Sequence, residues 1–187
     1  MPRHSGRRSE FVVAARECST HHIVLIGMMG AGKSSVGRVL AERLGRPLFD
    51  SDQMIEERTG RTVREIWQAD GEPAFRALET DVLAEAVADK HPSIIAAAGG
   101  VVLSDDNRRI LAESDAHVVW LMADVDLLLD RVKNGIHRPL LDADPEGALR
   151  NMFDTRVTLY RDAADAIVSV DHRTINDVAS AVLRCCA

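Results

Sequence analysis

The chain is predicted to fold as an α/β domain, a five-stranded parallel sheet flanked by helices, and two observations lead there. Short apolar runs alternate with amphipathic stretches along its 187 residues, the pattern that parallel strands and their crossover helices produce. The first such run, Ile23-Val24-Leu25-Ile26, leads directly into Gly27-Met28-Met29-Gly30-Ala31-Gly32-Lys33-Ser34, a G-x-x-x-x-G-K-S sequence. After it come apolar positions 36, 39, 40 and 44 at helical spacing. Strand, glycine-rich loop and helix are thus in the order a phosphate-binding loop requires.

The remaining elements follow in turn. A helix is expected over 34–44, then a strand over Pro47-Leu48-Phe49-Asp50, then helices over 51–58, 62–70 and 72–89. The third strand is Ser93-Ile94-Ile95-Ala96-Ala97, followed by a helix over 105–113. His117-Val118-Val119-Trp120-Leu121 is the fourth strand and 124–133 a helix. The fifth strand, Ala166-Ile167-Val168-Ser169-Val170, lies between helices over 145–159 and 174–184, where apolar residues return every three or four positions. Residues 23–187 read as a single domain, the usual outcome for a chain of this length. Residues 1–22 carry four Arg and three His but no continuous apolar stretch with a cleavage site, so they read as a flexible extension rather than a secretory signal.

Composition narrows the function classes. Hydrophobic residues at 46% and charged residues at 28% are ordinary globular values, and no apolar stretch reaches the ~18 residues of a membrane span. A net charge of −6 argues against nucleic acid as partner, which calls for a basic stripe. Cys18, Cys185 and Cys186 have neither metal-ligand spacing nor the density of a disulfide scaffold, which points to a reducing cytoplasm.

The chemistry-bearing residues cluster at predicted strand ends. In the loop, glycines let backbone N–H groups converge on phosphate, Lys33 adds a mobile charge, and Ser34 offers a hydroxyl to Mg²⁺. Asp50-Ser51-Asp52 ends the second strand; residues two apart in extended chain point the same way, so both carboxylates are expected to enter one cleft. One would order Mg²⁺ and its waters and the other would orient or deprotonate a substrate hydroxyl, although an Asp here also suits a helix cap. Arg76 and Glu79 are three apart on one helical face, which fits either a solvated ion pair or a carboxylate aiming Arg76 at an anion. Ala98-Gly99-Gly100 follows the third strand, and adjacent glycines let backbone approach a ligand closely. Arg131, His137, Arg138 and Arg156 supply cations for the charge compensation that phosphoryl transfer needs. Gly135 to Asp144 is polar, with Gly and Pro, and lies between two helices, which suits a mobile lid.

Together these segments resemble the shikimate kinase family of small phosphate-loop kinases, P-loop NTPases with a fold like that of the nucleoside monophosphate kinases. The match runs from about Ile23 to Leu183 and includes 27–37, Asp50-Ser51-Asp52, Ile55-Glu56-Glu57-Arg58-Thr59-Gly60, and Asp70-Gly71-Glu72 with Phe75, Arg76 and Glu79. It continues with Gly99-Gly100, Arg138-Pro139-Leu140-Leu141, and Arg156 with Leu159-Tyr160-Arg161. The resemblance implies ATP- and Mg²⁺-dependent phosphorylation of shikimate by a cytoplasmic monomer that engages neither nucleic acid nor membrane. It places ATP on Gly30, Ala31, Gly32, Lys33, Ser34, Ser35, Arg131 and Arg138, with Arg173 near the adenine. Ser34 and, through water, Asp50 would hold the metal; Lys33, Asp52 and Arg138 would act in catalysis. Asp52, Arg76, Glu79, Gly99, Gly100 and Arg156 would bind the acceptor, with the two arginines clamping its carboxylate.

The family usually has three glycines where this chain has Ala98-Gly99-Gly100. Were φ positive at Ala98, its Cβ would cost about 1 kcal/mol and displace the loop; at negative φ it is harmless. Two other readings remain open on sequence alone: a kinase for another small hydroxy acid such as gluconate, or a non-catalytic ATP-binding module. The intact set Lys33, Ser34, Asp50 and Asp52 speaks against the second. Turnover with shikimate and gluconate side by side separates the first.

Overall fold

The structure, a computed structural model, describes residues 20–133 and 144–186. Five strands form one sheet: β1 (His22–Ile26), β2 (Leu48–Asp50), β3 (Ile94–Ala96), β4 (Ala116–Met122) and β5 (Ala166–Ser169). Their order is β2-β3-β1-β4-β5, and every pairing is parallel. The register pairs Ile23 with both Ile94 and His117, Leu48 with Ile94, and Val119 with Ala166. Central β1 is buried at all of its positions, so its apolar run needs no alternation.

The helices are α1 (Lys33–Leu44), α2 (Ser51–Thr59), α3 (Val63–Val87), α4 (Asp105–Glu113), α5 (Val125–Lys133), α6 (Pro145–Ala163) and α7 (Ile175–Cys185). α3 unites the two helices expected over 62–70 and 72–89, but as two arms: Gly71 sits at φ 80, ψ 173, outside helical space, and Pro73 follows. The ring of Pro73 clashes with a continuing helix and lacks an N–H for it, so the rod bends at this point. Capping boxes start α3 (Thr62 with Glu65) and α7 (Thr174 with Asp177). α6 runs to Ala163, past the expected 159. A single 3₁₀ turn over Val101–Leu103, absent from the sequence expectation, buries Val101 and Val102 below the loop that follows β3. Among the described residues no helix is long and apolar enough to cross a membrane.

The main core lies between the sheet and its helices and includes Ile23, Leu25, Ile26, Leu40, Trp120, Leu121 and Tyr160, each essentially sealed from solvent. A smaller apolar cluster, Ile55, Ile66, Phe75 and Val82, joins α2 to α3 with Trp67 packed on it. At the carboxyl edge of the sheet, β1 and β3 are neighbours, yet the chain leaves them for opposite sides. Their loops, 27–32 and 97–100, therefore flank the crevice where open α/β sheets take ligands. Residues 1–19, 134–143 and 187, which hold most of the expected extension and lid, lie outside the described residues.

Candidate active site

The loop after β1 is shaped by what surrounds it. Gly27 sits at φ 142, and a Cβ there would lie 2.6 Å from the Leu121 carbonyl oxygen of β4, so the position excludes any side chain on both counts. Gly32 caps α1 without a side-chain hydrogen bond, leaving the first-turn N–H groups and the positive helix end directed at the crevice. Arg131 on α5 donates from Nη1 to the Gly30 carbonyl at 2.9 Å, tying the loop to the far wall. Lys33 Nζ curls back onto the carbonyls of Gly27 (2.8 Å) and Met28 (3.1 Å). The resulting cleft, about 420 Å³, is lined by 29–36, Asp52, Ala97, Ala98, Gly99, Arg131, Val170, Arg173, Ile175 and Val178.

Asp50 and Asp52 reach this region by a different route from the one expected. Strand alternation does not place them, because β2 ends at Asp50 and Asp52 already belongs to the first turn of α2. Asp50 is the helix cap: Oδ1 accepts from the backbone N–H groups of Asp52 (3.1 Å) and Gln53 (3.5 Å). Its other oxygen, Oδ2, accepts from the Ser34 hydroxyl at 2.5 Å. Capping and site chemistry thus share one carboxylate. Ser34 and Asp50 form a pair of hard oxygen donors at the foot of the phosphate loop, a donor set that fits Mg²⁺. Asp52 lines the cleft itself.

On the other flank, Arg76 is held in a fork. Nη1 donates to Glu79 Oε2 at 2.6 Å, while Nη2 and Nε donate to Glu72 Oε1 at 2.9 and 3.2 Å. Glu79 is buried at 3% exposure, which excludes the solvated-pair reading. The guanidinium also lies 5.4 Å from the Trp67 ring centroid and 5.8 Å from that of Phe75. Burial opposes its charge, but Glu79 and Glu72 together raise its pKa above the ordinary arginine value. A Cβ on Gly100 would lie 1.9 Å from Arg76 Nη1, so a side chain at 100 displaces the arginine head, while the backbone angle there makes no demand for glycine. Ala98, the departure from three glycines, is not at positive φ, and its Cβ is therefore harmless.

Arg156 on α6 is 7% exposed, donates from Nη1 to the Gly99 carbonyl at a long 3.3 Å and also meets the Tyr160 phenol. Four residues on, the Tyr160 hydroxyl donates to the same carbonyl at 2.5 Å and lies 3.8 Å from Met28 Sδ. Tyr160 stacks on Trp120, with centroids 5.7 Å apart and planes at 15°, and burial pushes its phenol up to about 12.

The cleft thus gathers Gly30, Ala31, Gly32, Lys33, Ser34, Ser35, Asp52, Gly99, Arg131 and Arg173. Asp50 stands one hydrogen bond behind Ser34, Glu79 and Gly100 stand against Arg76, and Arg156 stands against Gly99. Arg138 lies outside the described residues. Sequence reasoning missed Glu72 as a second anchor of Arg76, although its i, i+4 spacing was a readable signal. Trp67 and Tyr160 carried no such signal, because their partners are set by the bend in α3 and by a contact from α6 to the loop after β3.

Comparison with known proteins adds to this geometry. A family profile described as shikimate kinase matches residues 29–187. A shikimate kinase of Symbiobacterium thermophilum is 44% identical over 165 residues, covering 87% of this chain and 94% of that one. One from Streptomyces coelicolor is 42% identical and covers 86% and 92%. Among solved structures, shikimate kinase from Acinetobacter baumannii in complex with shikimate superposes with a TM-score of 0.83 at 39% identity, over 91% of this chain and 95% of that one. A gluconokinase from Sinorhizobium meliloti, at 19% identity and a TM-score of 0.54, shares the fold alone.

Proposed function

The chain belongs to the shikimate kinase family, and on that premise we propose that its cleft transfers the terminal phosphoryl group of ATP to a ring hydroxyl of shikimate. The observation that carries the acceptor assignment is Arg156. It is a buried guanidinium that meets a neutral carbonyl and the Tyr160 phenol but, among the described residues, no carboxylate, an expensive arrangement that an anionic ligand relieves. Arg76 stands against the adjoining residue, Gly100, so two cations flank the same two-residue segment. A carboxylate on a rigid ring fits such a clamp, since bidentate arginine pairs give orientation as well as charge.

In this reading the triphosphate enters at the α1 N-terminus and draws Lys33 Nζ off the Gly27 and Met28 carbonyls onto phosphate oxygens. Ser34 and, through water, Asp50 would hold Mg²⁺, which when bound supplies charge compensation to the phosphates. Asp52, on the cleft wall, orients the acceptor hydroxyl and takes its proton as the new P–O bond forms and the bond to ADP breaks. Arg131 and Arg173 flank the nucleotide, and Arg138 keeps the phosphate-directed role that the sequence resemblance implies for it. Glu72 and Glu79 hold Arg76 in place. Such chemistry rests on position and charge, with little covalent work for the protein. The reading includes action as a monomer, as the sequence resemblance implies. The acidic balance of the chain favours a small acceptor over nucleic acid, and a cysteine pattern without metal-ligand spacing or disulfide-scaffold density fits a cytoplasmic setting.

A coupled ADP-release assay with ATP, Mg²⁺ and either shikimate or gluconate tests the proposal. Turnover is expected with shikimate and not with gluconate. Gluconate turnover without shikimate turnover reopens the acceptor while leaving the nucleotide site intact.

A further inference from the structure

Tyr160 is assigned no part in the transfer described above, yet its hydroxyl touches both loops that form the cleft. It donates to the Gly99 carbonyl at 2.5 Å and lies 3.8 Å from Met28 Sδ in the phosphate loop. Its ring is 1% exposed and stacked on Trp120 of β4, so the hydroxyl is fixed by the centre of the sheet. The same carbonyl takes the weaker, 3.3 Å bond from Arg156, one helical turn earlier on α6. A carbonyl oxygen has two lone pairs, and a part-buried one that loses a donor strengthens its bond to the donor that is left.

We propose that Tyr160 is a positioning residue for acceptor binding: by satisfying the Gly99 carbonyl, its hydroxyl leaves the Arg156 fork available to the acceptor carboxylate. This rests on the reading of Arg156 as part of the carboxylate clamp. Without the hydroxyl, Arg156 is the donor that remains on this part-buried oxygen and closes onto it, turning N–H groups away from the acceptor. The Gly99–Gly100 backbone, against which Arg76 packs, also loses its tie to the sheet. Because burial raises the phenol's pKa, the hydroxyl stays a donor across the working range of pH.

Tyr160→Phe keeps the stacked ring and removes only the hydroxyl. It is expected to raise KM for shikimate about five- to tenfold, as the loss of one net hydrogen bond gives. Both kcat and KM for ATP should stay within about twofold. A general structural role would lower all three parameters together. In an Arg156→Lys background, where the fork is already lost, the same change is expected to cost less than about twofold. Equal costs in the two backgrounds overturn the proposal, as does an unchanged shikimate KM in Tyr160→Phe. Tyr160 is the only tyrosine of the chain, so growth on 3-fluorotyrosine labels this position alone and tests the wild-type sequence even if Tyr160→Phe folds poorly. Saturating shikimate is expected to shift the single fluorine resonance as Arg156 leaves the shared carbonyl, and an unmoved resonance counts against the proposal. Failure of the wild type to phosphorylate shikimate is a separate result, which removes the acceptor reading itself.

Discussion

Lys33 Nζ rests on two carbonyls of its own loop. Lys33→Ala is therefore expected to lower kcat by at least about a hundredfold, the scale of losing a preorganised charge at the reacting centre. Its thermal midpoint should stay within a few degrees of wild type, and a calorimetric melt beside the rate measurement checks both halves. Gly100 makes the opposite kind of demand. Gly100→Ala puts a methyl group 1.9 Å from Arg76 Nη1, so the arginine must leave its fork or the loop must move. KM for shikimate is expected to rise at least tenfold, roughly 1.4 kcal/mol, with KM for ATP unchanged. Ala98→Gly, two residues earlier and without positive φ, should leave shikimate KM where it is.

α3 shows how one bend serves a site. Its first arm carries Trp67 and its second carries Glu72, Arg76 and Glu79; the bend at Gly71 lets Trp67 and Arg76, nine positions apart, meet. Gly71→Ala imposes a Cβ at φ 80 and is expected to cost about 1–2 kcal/mol of stability. It should also weaken shikimate binding before ATP binding, which urea melts and titration calorimetry on the variant would show. This element also marks how far the sequence could be read. Its two arms were legible as amphipathic stretches and all five strands as short apolar runs, because burial against a sheet imposes a local pattern. The phosphate loop was legible because its glycines and Lys-Ser answer to a ligand that contacts them in sequence order. What the sequence concealed were contacts between distant segments. Gly100 packs against a side chain 24 positions earlier, and Gly99 meets a hydroxyl 61 positions later. Asp52 does line the cleft and Asp50 does meet Ser34, but a helix cap rather than strand alternation sets the two carboxylates.

At the scale of the molecule, the buried phenol links stability to pH. An unfolded tyrosine releases its proton near ~10, whereas Tyr160 in the fold holds it to about 12. Below pH ~10 both states keep the proton and the contribution is whole. From there the unfolded chain has lost a proton that the folded one retains, so stability falls as pH rises, by roughly 2–3 kcal/mol at pH ~12. Urea midpoints measured across that range should show this fall in the wild type and a shallower one in Tyr160→Phe. The placement of the two tryptophans has an optical consequence. Trp120 is sealed in the core against Tyr160, while half-exposed Trp67 lies beside the arginine proposed to meet the acceptor. The emission of the chain therefore divides into a steady inner source and an outer one whose quenching depends on where the Arg76 charge sits. Shikimate titration should change fluorescence in the wild type and leave Trp67→Phe dark to the ligand, giving an intrinsic reading of acceptor occupancy that needs no turnover.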